Sequence, residues 1–350
     1  MNLFLEKIDN VPGDETSRNE QKGQALFLRA WNYHMLYSLF GRVPIVDHTF
    51  DLDSSFELQR EDMDKVADFI IKDLDEAAAL LPIEYSDPND FGRVTKGAAL
   101  ALKSRVLLYK ASPLFGTPST EKWQAAANAA KAVFDLNKYY LKTVNNSEEY
   151  GALFYDVKNP EVIFEKLFDP KYGSGDNNSF LYQAPCGIGN GFQGWGNFNP
   201  TQNLVDKFQM ADGTASEKKT HYDYYPWNGR EIRFYAAFLL DGDEWGYGKD
   251  KREVEVYYGG DETIPAGKDS NWGEYWWNAS NTGYSMRKFL DPSYDATGTT
   301  MHTTPWFFIR LSEIYLNYAE CQIELGNNSE ALEYINNCLL YTSDAADDLT

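Results

Sequence analysis

The first 140 residues carry apolar side chains at the spacing of amphipathic helices. In residues 24–39 apolar positions recur every three or four places, and Gly41 and Pro44 then end the pattern. The same period predicts three further helices, at residues 62–81, from the N-cap Thr95 to just before Pro113, and at residues 121–136. This half of the chain is therefore predicted to be helical.

The end of the chain returns to the helical period. Residues 307–325 are amphipathic, Gly326 follows them, and a second helix is predicted from about Ser329. The turn between them, ELGNNSEALEYI, has the Leu-Gly, Ala and Tyr arrangement of tetratricopeptide-like hairpins, whose unit is a helix pair of about 34 residues. We predict an all-α fold in which tetratricopeptide-like helix pairs form a scaffold.

Residues 141–304 have a different character, because Gly, Asn, Asp and Tyr dominate them. We find a short strand candidate at residues 161–167 and a short helix candidate near Thr201. Asp241 and Asp243 indicate a turn, since the following EWGYG lacks the further oxygen ligands that a calcium loop needs. Long loops on a scaffold usually carry function, so this loop-rich region is predicted to hold the ligand site.

Charge and composition exclude several classes of protein. The net charge of −21 argues against nucleic acid and against anionic membrane surfaces, since both attract basic proteins. Aromatic residues make up 15% of the chain, which is typical of a folded protein. Three cysteines form no disulfide framework, and the sequence has no apolar run long enough for a membrane helix.

The motifs that could carry chemistry are weak. Gly189, Gly191 and Gly194 form a GxGxxG, but no helix can start before about Pro200, so we interpret them as a flexible loop. Four scattered histidines predict no metal site, and no cofactor is expected. With 53 acidic residues a catalytic carboxylate pair cannot be singled out, and GxSxG is absent. We predict no catalytic residue.

Clustered aromatics are the strongest functional signal. Residues 221–284 contain 16 aromatics, which is 25% of that window, and five of the nine tryptophans, set among polar residues. Exposed rings of this kind suit the apolar C–H faces of sugars, while neighbouring amides and carboxylates bond the hydroxyls. The alternative is that they pin loops to the core. The ligand-binding candidates are Trp272, Trp276, Trp277, Tyr284, Trp245, Tyr257, Tyr258, Trp195 and Asn197.

Seven strings occur in an order and spacing that resemble those of one family over about residues 1–337. They are GQALFLRAWNYHMLYSLFGRVPIV, DFIIKDLDEAAALLP, GRVTKGAALALKSRVLLYKASPLF, NPEVIFE, PTQNLVDKFQMADG, YSMRKFLDP and FFIRLSEIYLNYAECQIELG. They resemble the SusD/RagB family of surface-exposed, nutrient-binding lipoproteins. Arg29 and Arg105 lie inside these strings, where we expect a buried ion pair or a stem packed along the helix rather than a ligand contact.

The resemblance implies a helical core of tetratricopeptide-like pairs with a loop-rich glycan site, and no enzyme activity. It implies a partner, a SusC-like TonB-dependent transporter over which the lipoprotein sits as a lid. It also implies a lipid anchor in the outer membrane, exposed at the cell surface. The family's binding aromatics lie in variable loops, so the candidates above rest on local composition.

Both ends of the chain depart from the family pattern. The signal, lipid-bearing cysteine and first helical segment are not seen before Met1, and from Cys338 the sequence reads CLLYTSDAADDLT. We expect a fragment with a single SusD-like domain at residues 1–337. Its scaffold would comprise residues 1–140 and 305–337, its ligand region residues 141–304, and residues 338–350 would be a non-native tail.

Three functions remain open on the sequence. The first is non-catalytic binding of an oligo- or polysaccharide and its delivery to the transporter. The second is a peptide- or protein-binding helical-repeat lipoprotein of the RagB type, in which the aromatics are structural. The third is a glycan hydrolase on a helical scaffold. The seven strings favour the first.

Overall fold

The computed structural model describes residues 1–54, 57–168, 195–216, 227–246, 251–259, 263–274, 276–293 and 303–340. The chain divides into two compact units. The helical unit comprises Met1–Lys142, Pro160–Glu165 and Phe307–Cys338. The loop unit is drawn from Thr143–Asn159 and the described residues of Lys166–Trp306.

The secondary structure is mostly helical, as the sequence predicts. In chain order the α-helices are α1 Asn2–Lys7, α2 Glu15–Phe40, α3 Met63–Leu80, α4 Lys96–Ala111, α5 Thr120–Phe134, α6 Ser147–Ala152, α7 Gln202–Val205, α8 Ile232–Ala237, α9 Leu311–Glu324 and α10 Asn328–Leu340. The strands are β1 Val162–Lys166, β2 Phe238–Leu239, β3 Glu244–Trp245, β4 Arg252–Glu253, β5 Ser285–Met286 and β6 Trp306–Arg310. Short 3-10 helices lie at Ile8–Asn10, Pro88–Asp90 and Trp276–Asn278.

Side-chain caps fix where the scaffold helices begin. The Thr95 hydroxyl accepts the amide of Ala98 at the start of α4, which confirms the predicted N-cap. The Asp14 carboxylate accepts the amide of Ser17 at 2.7 Å, so α2 begins nine residues before the predicted start at residue 24. The first turns of α2 are polar and largely exposed, which is why the apolar period misses them.

Consecutive helices of the helical unit pack on one another around a single hydrophobic core. The largest fully buried side chains there include Phe27, Tyr37, Ile70, Leu74 and Leu102. The two arginines of the sequence motifs support this packing. Arg29 makes a bidentate ion pair with Asp73 at 2.7 and 2.8 Å, and Arg105 does so with Glu313 at 2.6 Å. The predicted structural role of both arginines is confirmed.

Helices α9 and α10 form the predicted hairpin at the end of the scaffold. The amide of Asn327 bonds the carbonyl of Gln322, that of Gly326 bonds Ile323, and Gly326 has a φ of 82°. This is a Schellman motif, which explains the glycine at the helix end. The helix prediction is wrong for residues 307–310, because they belong to β6 and pair with β1. The strand predicted at residues 161–167 is confirmed by β1.

The described residues of the loop unit form short elements and three small hydrophobic clusters instead of one core. Two antiparallel pairs join β2 to β5 and β3 to β4. Helix α7 confirms the prediction near Thr201, whereas α6 and α8 were not predicted, because six residues are too few to show a helical period. Within the described ranges, no helix is both long and apolar enough to cross a bilayer.

Candidate functional site

Five of the nine candidate side chains are exposed aromatics on the loop unit. The exposed fractions are 67% for Trp272, 61% for Trp276, 59% for Trp277, 67% for Tyr258 and 44% for Tyr257. Such large rings are usually mostly buried, so these exposures mark a candidate contact surface.

The exposed rings form two perpendicular pairs. The ring centroids of Tyr258 and Trp272 lie 5.1 Å apart with an interplanar angle of 86°. Those of Trp276 and Trp277 lie 6.1 Å apart at 83°. Edge-to-face contact holds each ring against its neighbour and leaves ring faces available. We call these four residues the aromatic surface.

A buried ion pair holds the loops that carry the first pair. The Asp269 carboxylate is 4% exposed, and it accepts two hydrogen bonds from the Arg252 guanidinium, both at 2.8 Å. It also accepts the amide of Glu255 at 2.9 Å. Two backbone hydrogen bonds join the same segments, from the amide of Asp269 to the carbonyl of Glu255 at 2.8 Å and from the amide of Gly267 to the carbonyl of Tyr257 at 3.0 Å. We call this ion pair and its neighbouring bonds the clasp. The clasp fixes the two loop segments that carry Tyr258 and Trp272.

Glycine is required where these loops meet. A Cβ atom on Gly267 would lie 2.4 Å from the carbonyl oxygen of Glu255. One on Gly273 would lie 2.3 Å from the carbonyl oxygen of Gly267, and one on Gly259 would lie 2.4 Å from the amide of Ala266. All three contacts are with backbone, which cannot move aside, so a side chain would push the loops apart.

The second pair stands on a loop that is bonded to the segment of Trp195 and Asn197. The Asn199 carboxamide accepts the amide of Asn281 at 2.8 Å and donates to the carbonyl of Gly196 at 2.6 Å. Trp195 is half-buried and Asn197 is exposed. Asn199 therefore joins the segment of these two weaker candidates to the loop that follows Trp277.

The other two candidates, Trp245 and Tyr284, have buried side chains that pack in hydrophobic clusters. Trp245 is 6% exposed and packs in a cluster with Leu239, Val254 and Leu290. Tyr284 is 9% exposed, packs beside Phe238, and donates its hydroxyl to Gln202 at 3.0 Å; burial raises its pKa. Local composition does not separate buried from exposed rings, and neither belongs to the aromatic surface.

Two family models match separate stretches of the sequence. A model described as the SusD family matches residues 160–338, which is more than half of the chain. This chain belongs to the SusD family. A second model, described as "Starch-binding associating with outer membrane", matches residues 1–108. The resemblance seen in the sequence is confirmed.

Individual relatives of this SusD family chain agree with the models. A SusD-like protein of Formosa agariphila is 22% identical over 94% of this chain and 58% of its own length. A SusD-like protein from Bacteroides fragilis has a TM-score of 0.83 at 28% identity, covering 97% of this chain and 65% of the other. A second B. fragilis structure, named a SusD-like carbohydrate binding protein, has a TM-score of 0.75 at 21% identity, covering 99% and 69%. The chain thus spans less than two thirds of the first two.

The aromatic surface of this SusD family chain is surrounded by polar side chains. Asn271 and Glu274 are exposed beside Trp272, and Asn278 follows Trp277. Ring faces next to amides and a carboxylate can contact the C–H face of a sugar and its hydroxyls together. Among the described residues, no group of His, Cys, Asp and Glu could hold a metal ion. His221, His302 and the GxGxxG glycines lie outside those residues.

The residues that position the surface were not predicted. Arg252 and Asp269 are 17 residues apart, and Asn199 and Asn281 are 82 apart. Each is a charged or amide residue in a segment full of them, so no local pattern marks its partner. The Gly-rich composition is the one available signal, because close backbone contacts require glycine.

Proposed function

We propose that this SusD family chain binds an oligosaccharide or polysaccharide without cleaving it. The observation that carries the proposal is the aromatic surface itself, Tyr258, Trp272, Trp276 and Trp277, exposed in two pairs among polar side chains. Exposed rings gain from covering the C–H faces of pyranoses and need no reacting group to do so. A second B. fragilis protein that shares the fold is named a carbohydrate binding protein, which supports this ligand class.

The proposal extends to delivery of the glycan. We place the binding surface at the outside of the outer membrane on a lipid anchor, next to a SusC-like TonB-dependent transporter. The model that matches residues 1–108 is described as associating with the outer membrane, which supports the location. Co-purification of the tagged, anchored protein from a mild detergent extract tests the partner. We expect the transporter to co-purify, and a purified protein without the transporter would contradict the proposed partnership.

Affinity electrophoresis through gels that contain single polysaccharides tests the binding. Wild type is run beside a Trp272→Ala, Trp276→Ala, Trp277→Ala variant, after circular dichroism has shown that both are folded. Tyr140→Ala is the matched control, since Tyr140 is an aromatic residue that is 64% exposed and belongs to the helical unit.

We expect at least one polysaccharide to retard wild type and the Tyr140→Ala control, and not the triple variant. Equal retardation of all three proteins would contradict the proposed surface. Folded wild type that no polysaccharide retards, and that binds peptides instead, would favour the RagB-type alternative. Release of reducing ends during incubation would contradict the absence of catalysis.

A further inference from the structure

The loop unit contains a cleft that is separate from the aromatic surface. Its volume is about 480 Å³, within the range of small-molecule sites. Six polar or aromatic residues that line it carry the inference, namely Tyr155, Asp243, Glu244, Trp245, Lys251 and Arg287. None of them belongs to the aromatic surface, and all lie in the loop unit.

Several polar groups around the cleft have hydrogen-bonding capacity to spare. No hydrogen bond joins the hydroxyl of Tyr155 to any other residue that the structure describes. The Arg287 side chain makes one long bond, 3.4 Å from Nη1 to the carbonyl of Tyr235. Asp243 accepts the amide of Leu240 through Oδ2 at 2.9 Å, which leaves Oδ1 as an acceptor. Such groups are normally satisfied by a ligand or by water.

The charges around the cleft disfavour an anionic ligand. Glu244 and Lys251 neutralise each other at 2.7 Å. Asp243 and Arg287 bring one charge of each sign, and Glu148 adds one more negative charge. Burial raises the pKa of Asp243, while the charge of Arg287 opposes that rise. Burial also raises the pKa of Tyr155, so its hydroxyl keeps its proton at neutral pH and can donate.

Apolar side chains provide the rest of the wall. Trp245 and Leu290 belong to one hydrophobic cluster, are 6% and 2% exposed, and line the cleft. A ligand therefore meets an apolar floor beside donors and acceptors of both kinds. A compact polyhydroxylated molecule matches this combination, because each hydroxyl both donates and accepts while the C–H groups cover apolar atoms.

We propose that this cleft is a second binding site, which takes a neutral mono- or disaccharide unit. The ligand class rests on the proposed glycan binding, whereas the location rests on the cleft alone. The aromatic surface is open and suits the length of a chain, while the cleft suits a short oligosaccharide or a chain end. Tyr155, Asp243 and Arg287 bond the hydroxyls, and Trp245 contacts the ring.

Saturation-transfer NMR on the full chain tests the site. The probes are maltose, cellobiose and xylobiose, with glucuronate as the anionic comparison, each titrated to give a Kd. Tyr155→Phe removes one hydroxyl and keeps the ring, so it should fold, and Arg287→Ala removes the guanidinium. The triple variant of the aromatic surface reports on the other site.

At least one neutral disaccharide should bind the triple variant, with no binding of glucuronate. Tyr155→Phe in that background should weaken the affinity by roughly threefold to tenfold, the value of one hydrogen bond, and Arg287→Ala should weaken it at least as much. Failure of all three disaccharides, or equal affinity with and without the Tyr155 hydroxyl, overturns the second site. Neither outcome alters retardation by polysaccharide gels, so the two proposals fail separately.

Discussion

Different interactions stabilise the helical unit and the loop unit, each within itself. Helices α2 to α5 and α9 enclose one core in which residues such as Phe27, Ile70 and Leu102 are fully buried. The loop unit has three small clusters, and the segments that carry its exposed rings are fixed by Arg252 and Asp269 and by backbone bonds. Burial of apolar area therefore stabilises the scaffold, and a few polar contacts position the aromatic surface.

This difference separates stability from recognition. Hydrophobic burial is non-directional and tolerates exchange of similar side chains, whereas a bidentate ion pair requires its two partners in one geometry. Loops that are held by ion pairs and backbone hydrogen bonds can differ in sequence while the helical scaffold is retained. Substitutions in the two units should consequently have different effects on unfolding and on glycan binding.

The largest effect is expected in the core of the scaffold. Leu102 is 0% exposed in α4, so Leu102→Ala leaves a cavity and should lower the free energy of unfolding by about 4 kcal/mol. Leu316 is 49% exposed on α9 and serves as the control; Leu316→Ala should cost less than about 1 kcal/mol. Urea unfolding followed by circular dichroism measures both, and equal losses would contradict a single buried core.

Breaking the clasp is expected to cause a smaller loss of stability together with a loss of glycan binding. Asp269→Ala removes the carboxylate that neutralises Arg252 and accepts the amide of Glu255, which should cost about 3 kcal/mol. It should also weaken glycan binding, because Tyr258 and Trp272 lose their support. Glu61→Gln breaks the exposed pair with Lys65 and is the control, which should leave stability and binding nearly unchanged. A stable Asp269→Ala variant with full binding would contradict the role of the clasp.

The smallest of these effects depends on pH. Burial, together with the charge of Arg105, lowers the pKa of His34 from 6.5 to about 4. The unfolded chain therefore takes up this proton at higher pH than the folded chain, and the contribution of neutral His34 is complete above pH 6.5 and lost as the pH falls towards 4. Between pH 7.5 and 4.5 the loss should be about 2 to 3 kcal/mol. Urea unfolding of wild type and His34→Gln at both pH values isolates it; identical pH dependence of the two proteins would contradict it.

The sequence predicts the scaffold well and the site only in part. Apolar periodicity locates α3 and α5 to within two residues, since each of these helices buries one face. Helix α4 has no exposed residue, and the Thr95 cap and Pro113 locate it as closely. Periodicity fails at residues 307–310, where a short strand adjoins a helix and both are apolar. In the loop unit, composition selects exposed rings such as Trp272, yet it also selects the buried rings of Trp245 and Tyr284, because burial there depends on contacts between distant segments.

Hydrogen exchange with and without a retarding polysaccharide tests the central claim most directly, namely that the loop unit recognises the ligand while the scaffold supports it. The account predicts slower exchange at residues 255–259 and 270–279, which carry the aromatic surface, with helices α2 to α5 unchanged. Protection confined to the scaffold helices, with none at residues 255–259 or 270–279, would contradict it.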